Sequence, residues 1–91
     1  MDQRQIRANA KTVKITVKGR VQGVGFRPFV FQLAEQFNIK GTIQNNMDGV
    51  KIMAEGKETE LKRFVYALSS RPPRLSRVDK VIVEDAAYVG F

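Results

Sequence analysis

The chain has 91 residues, 43% of them hydrophobic and 27% charged, and a formal charge of +7 from 16 lysines and arginines against 9 acidic residues. That length supports one core and no second domain, and no apolar run approaches the ~18 residues that a membrane span needs. Cysteine and histidine are both absent, which removes disulfides, thiolate chemistry, the usual proton shuttle near neutral pH and the commonest metal ligand.

The opening "MDQRQIRANAKT" lacks the apolar centre of a secretory signal, so a cytoplasmic location is expected, with a flexible basic tail over residues 1–11 and one domain over 12–91. From Thr12 to Lys18 the order alternates strictly, with Val13, Ile15 and Val17 on one face and Thr12, Lys14, Thr16 and Lys18 on the other; this predicts a half-buried strand. The stretch "GRVQGVGFRPF", residues 19–29, then leads into a helical pattern in which Phe26, Phe29, Val30, Leu33, Ala34 and Phe37 share one side. Pro28 sits in the first turn, where its missing N–H costs little. Asn38 to Gly41 ends this helix, and "GTIQNN" reads as a strand that turns through Met47, Asp48 and Gly49 into "VKIMAEG"; Asp-Gly between two such runs is a hairpin signal.

Residues 57–70 carry a second helix with Leu61, Phe64, Val65 and Leu68 inward, stopped by Pro72 and Pro73. "SRVDKVIVEDA" gives a fourth strand in which Val78 and Val81 differ in parity, so a bulge is expected near Asp79. "YVGF" is expected to begin a fifth. The order β-α-β-β-α-β with two amphipathic helices predicts an α+β ferredoxin-like sandwich, an antiparallel sheet with both helices on one face.

A loop passing from a strand into a helix presents unpaired backbone N–H groups, and the helix dipole adds positive charge there, so the first seam suits an anion such as phosphate. Gly23 and Gly25 permit positive φ and close approach, and Arg27 can offer a planar fork to phosphate oxygens. The same residues also make an ordinary tight turn followed by a solvent-facing arginine, and both readings stand on the residues alone. The spacing G-x-x-x-G-x-G matches neither the dinucleotide fingerprint nor the phosphate loop ending in Gly-Lys-Ser/Thr. Asp48, Asp79, Asp85 and the glutamates are scattered without ligand spacing and read as solvated surface, so no metal is expected. Ser69 and Ser70 end a helix with no base available to activate either hydroxyl.

"VKGRVQGVGFRPFVFQLA" resembles the acylphosphatase signature, and "GTIQNNMDGVKIMAEG" resembles that family's second motif, in register from about Thr12 to Val83. The resemblance implies that Arg27 binds a phosphoryl group and that Asn45 positions the attacking water. It also implies that the backbone amides of Gln22, Gly23, Val24, Gly25 and Phe26 cradle the phosphate. Asn46 competes with Asn45 on the residues alone; neighbouring strand residues point to opposite faces, and the motif register selects Asn45.

The implied activity is hydrolysis of the carboxyl-phosphate bond of a small acyl phosphate, with no cofactor, nucleic acid or membrane, by a monomer. "FRPF" and "PPRLSRVDKV" are more similar to the acylphosphatase-like domain that opens the hydrogenase-maturation carbamoyltransferases. That similarity implies carbamoyl phosphate as substrate and the other domains of a larger maturation protein as partners, and in the family the last strand usually continues a few residues past "YVGF". Two other readings compete: a non-catalytic docking or regulatory domain, and a basic nucleic-acid-binding module of the same strand order. For the second, "TVKITVK" and "VKIMAEG" offer no aromatic on which a base could stack.

Overall fold

The computed structural model describes residues 10–23, 25–47 and 49–91. The elements are β1 (Ala10–Arg20), α1 (Phe26–Gln36), β2 (Lys40–Asn46), β3 (Gly49–Lys57), α2 (Glu58–Ser70) and β4 (Arg77–Ala86). The four strands form one sheet in the order β2-β3-β1-β4 with every pairing antiparallel, and both helices cover one face of it. This is the α+β ferredoxin-like arrangement.

Strand β1 begins at Ala10, so Ala10 and Lys11, expected in a loose tail, belong to the sheet: Ala10 pairs with Lys57, and the Lys11 ammonium lies 3.0 Å from the Asp85 carboxylate. The remainder of that expected tail, residues 1–9, lies outside the described residues. Val13, Ile15 and Val17 stand beside Ala54, Ile52 and Val50 of β3, and all six are buried. Phe26, Val30 and Leu33 of α1 and Leu61, Phe64, Ala67 and Leu68 of α2 close over them. Removing each large apolar side chain from water contributes about 1.5–3 kcal/mol, and a slip of one residue would turn the whole inward row outward, which fixes the register. Ala67, unmarked by the periodicity, joins the inward face of α2.

The bulge falls where the parity change requires it. Lys18 pairs with Lys80 but Gly19 pairs with Val78, leaving Asp79 as the extra residue, so Val78 and Val81 both pack against the core. The Arg77 guanidinium donates to the Asp79 carboxylate over 2.8 Å. Helix α1 ends on Asn38 at φ 57. The Asn38 and Ile39 amides donate back to the Glu35 and Ala34 carbonyls at 3.3 and 2.7 Å, the paired bonds of a Schellman motif, and buried Ile39 is thereby turned into the core.

The expected fifth strand does not form, and the reason is Glu55. The N–H groups of Val89, Gly90 and Phe91 donate to its carboxylate at 3.2, 2.9 and 2.9 Å, so consecutive donors that a strand partner would have satisfied converge on one side chain. The Thr12 hydroxyl donates to the same carboxylate at 2.6 Å. Glu55 is only 6% exposed, which corrects its reading as solvated surface. Burial pushes the Glu55 carboxyl up, but hydrogen bonds from Thr12, Gly90, Val89 and Phe91 outweigh it and leave the group below its ordinary value.

A carboxyl whose folded-state pKa is depressed contributes stability above its unfolded value and loses it as pH falls through the folded one. Urea denaturation is therefore expected to show stability falling as the pH drops below the ordinary value of 4.5. Glu55→Gln removes that component of the pH dependence and costs about 2 kcal/mol at neutral pH, the scale of a buried charge-assisted hydrogen-bond set. A glutamine variant whose unfolding curve overlays the wild type at pH 7 would contradict this account.

Candidate active site

Strands β1 and β2 run in the same direction with β3 between them, so their C-terminal ends share one end of the sheet. At that end Asn45 pairs with Val50 and Val50 pairs with Val17. Asn45 therefore stands on the helix-covered side, in line with Ile43, which packs against the core. Asn46 points to the other side. Asn45 is exposed and lies two strand spacings from β1, roughly 10 Å.

The loop that leaves β1 at this end keeps its front open. Gly23 and Gly25 have φ 67 and 80, and a Cβ built on either would meet nothing within 4 Å. Glycine is required here for conformation. Val24, expected between them in the cradle, lies outside the described residues. Gly25 is the N-cap of α1, no side chain caps the helix, and no acidic residue occupies the first turn. The N–H groups of Gly25, Phe26 and Arg27 thus lack intrahelical partners, and Pro28 brings none. Phe26 anchors this turn with a side chain 1% exposed in the core, its ring 5.5 Å from that of Phe29. Arg27 projects from the same turn, exposed, and its guanidinium has no hydrogen-bond or ion-pair partner among the described residues.

Gln22, expected to contribute its backbone, makes hydrogen bonds through its side chain. The carboxamide nitrogen donates to the carbonyl of Asn46 at 2.5 Å and to that of Gly49 at 2.8 Å. Those residues pair with each other to close the β2–β3 hairpin, so Gln22 ties the glycine loop to the strand carrying Asn45. Gly49 sits at φ 149, where an added Cβ would lie 2.0 Å from the Val17 carbonyl oxygen. The hairpin is seated directly against β1. Asp48, expected in its turn, lies outside the described residues. No group of three acidic side chains that could hold a metal ion occurs among the described residues, and none of their helices is long and apolar enough to cross a membrane.

A sequence model of the acylphosphatase family matches residues 13–91. The chain belongs to the acylphosphatase family. It is 48% identical over 73 residues to an acylphosphatase of Leuconostoc mesenteroides, covering 79% of this chain and 81% of that protein. It is 47% identical over 73 residues to a probable carbamoyltransferase HypF of Methanocaldococcus jannaschii, covering 80% of this chain and 10% of that protein. The chain thus spans most of the one relative and about a tenth of the other. Among solved structures, an acylphosphatase from Coxiella burnetii superposes with TM-score 0.88 at 27% identity, covering 96% of this chain and 92% of that one. Full-length HypF in its phosphate- and nucleotide-bound form superposes with TM-score 0.87 at 38% identity, covering 90% of this chain and 11% of that one.

The sequence reading named Gln22 for its backbone alone and missed the contacts of its carboxamide with the hairpin. The only signal for them was a long polar side chain in a loop otherwise built for closeness. Gly25 and Gly49 should separate two effects in thermal unfolding. Gly25→Ala carries the left-handed strain alone, on the order of 1 kcal/mol, whereas Gly49→Ala adds a collision with backbone and should cost clearly more; equal losses would contradict the geometry.

Proposed function

We propose that this protein hydrolyses acyl phosphates, with carbamoyl phosphate among its substrates. The observation that carries the reading is that the glycine loop leaves β1 at the sheet end where β2 carries Asn45 and leads into a helix whose N-terminus no side chain caps, with Arg27 in its first turn and without a hydrogen-bond or ion-pair partner among the described residues. Membership of the acylphosphatase family supports the same reading, and similarity to carbamoyltransferase relatives supports carbamoyl phosphate.

The chemistry suits so sparse a set of groups. An acyl phosphate expels a carboxylate, whose conjugate acid has a pKa of about 4, so the leaving group departs without a proton. A plain phosphate ester expels a basic alkoxide and calls for a proton donor, a metal or a nucleophile, and a chain without histidine or cysteine is poorly equipped for that. Here the loop amides and Arg27 hold the phosphoryl oxygens and neutralise their charge, while the neutral Asn45 carboxamide orients a water in line with the bond to be broken. Water oxygen bonds to phosphorus, the bond from phosphorus to the carboxylate oxygen breaks, and the water's proton passes to a phosphoryl oxygen. The catalytic contribution is positioning and electrostatics.

The test is hydrolysis of carbamoyl phosphate, benzoyl phosphate and an alkyl phosphate ester, each with and without EDTA. The first two should be turned over at rates the chelator does not change, and the ester should not be. Arg27→Ala should lower kcat/KM by about a hundredfold or more, since it removes at least two charge-assisted bonds of roughly 1.5–3 kcal/mol each. Asn45→Ala should lower kcat far more than it raises KM. Wild-type rates in Arg27→Ala, or loss of activity with EDTA, would refute the mechanism.

A further inference from the structure

The two halves of the proposed site come from distant parts of the chain, and Gln22 joins them. A primary carboxamide nitrogen carries two hydrogens, and each finds a carbonyl on the hairpin, that of Asn46 at 2.5 Å and that of Gly49 at 2.8 Å. These carbonyls flank the hairpin tip, and Asn46 adjoins Asn45 in the chain. In the proposed site anion capture uses the backbone amides of the loop and the Arg27 guanidinium, with the amides of Gly25 and Phe26 on the α1 side, where Phe26 is buried. Orientation of the water uses Asn45, on the hairpin side.

We infer that Gln22 is a positioning residue: its carboxamide clamps the hairpin to the loop and thereby sets the distance between Asn45 and the bound phosphoryl group. This rests on the acyl-phosphate reading above and gives that site a division of labour, with the loop governing affinity and the clamp governing turnover. The side chain is exposed, so water replaces its hydrogen bonds at little global cost. A misplacement on the order of 1 Å at a reacting centre, in contrast, costs about a hundredfold in rate.

The experiment compares wild type, Gln22→Ala, Gln22→Glu, Asn45→Ala and the double variant Gln22→Ala/Asn45→Ala. It reads kcat and KM with benzoyl phosphate, the inhibition constant of inorganic phosphate, and Tm. Gln22→Ala should lose about tenfold or more in kcat and change the phosphate inhibition constant by less than about threefold. The double variant should be no slower than Asn45→Ala alone, because a clamp has nothing to position once Asn45 is gone. Gln22→Glu sets a carboxylate against two carbonyls and should be slower still than Gln22→Ala. Losses that multiply in the double variant, a loss confined to phosphate affinity, or a Gln22→Glu enzyme as fast as wild type would each overturn the inference.

Hydrogen exchange of the backbone amides from 45 to 50 provides a readout without turnover. Faster exchange there in Gln22→Ala, at a Tm close to wild type, supports the clamp, and unchanged exchange overturns it. A wild type that hydrolyses no acyl phosphate would sink the functional reading, and the exchange experiment would still decide whether the clamp exists.

Discussion

The inward row of β1, sealed between β3 and β4 beneath both helices, is the constraint on which the rest of the structure depends. Val13, Ile15 and Val17 each have a fixed neighbour on both sides, and all three are buried. Their register aligns β3, β3 aligns β2, and β2 delivers Asn45 to the helix-covered side of the sheet. The same row decides where β1 ends and hence where the glycine loop begins. Gly49 transmits this alignment most directly, because its lack of a side chain lets the hairpin rest on the Val17 carbonyl. The placement of Asn45 is in this sense a by-product of hydrophobic packing a few residues away.

In the proposed site two kinds of interaction would operate at the sheet end, with different demands. Charge neutralisation by amides, a helix dipole and Arg27 tolerates small displacements, because Coulomb energy varies slowly with distance. Orientation of a neutral water by a neutral carboxamide does not, because hydrogen bonds weaken steeply with angle. The structure spends its local hydrogen bonds accordingly. Arg27 is left without a partner among the described residues, whereas the hairpin beside Asn45 is tied to the loop by the Gln22 side chain.

Much of this was legible in the sequence, for identifiable reasons. Alternation in β1 and the apolar stripe of α1 have clear periods, so element types and the inward faces followed directly. The parity conflict between Val78 and Val81 was enough to locate the bulge at Asp79. Gly23 and Gly25 announced a positive-φ loop because few other residues adopt that conformation cheaply. What was not legible depends on partners far apart in the chain. Glu55 reads as an ordinary surface acid until the register sets it opposite Thr12 and the amides of residues 89–91 reach it, and this is why the expected fifth strand gave way to a chain end gathered by a carboxylate. Gln22 likewise looks like loop backbone until the hairpin carbonyls come within its reach.

The choice of residue at the start of α1 has a consequence for any attempt to stabilise this protein. Serine, aspartate or asparagine at a helix N-cap places its own oxygen on the first-turn amides, and glycine forgoes that, though only by a few tenths of a kcal/mol. At Gly25 such an oxygen would be an intramolecular competitor tethered to the very donors that the proposed phosphate site would use. At φ 80 that residue would also carry left-handed strain on the order of 1 kcal/mol, more than the few tenths that a cap returns, so capping this helix would weaken the scaffold as well as obstruct the proposed anion seat.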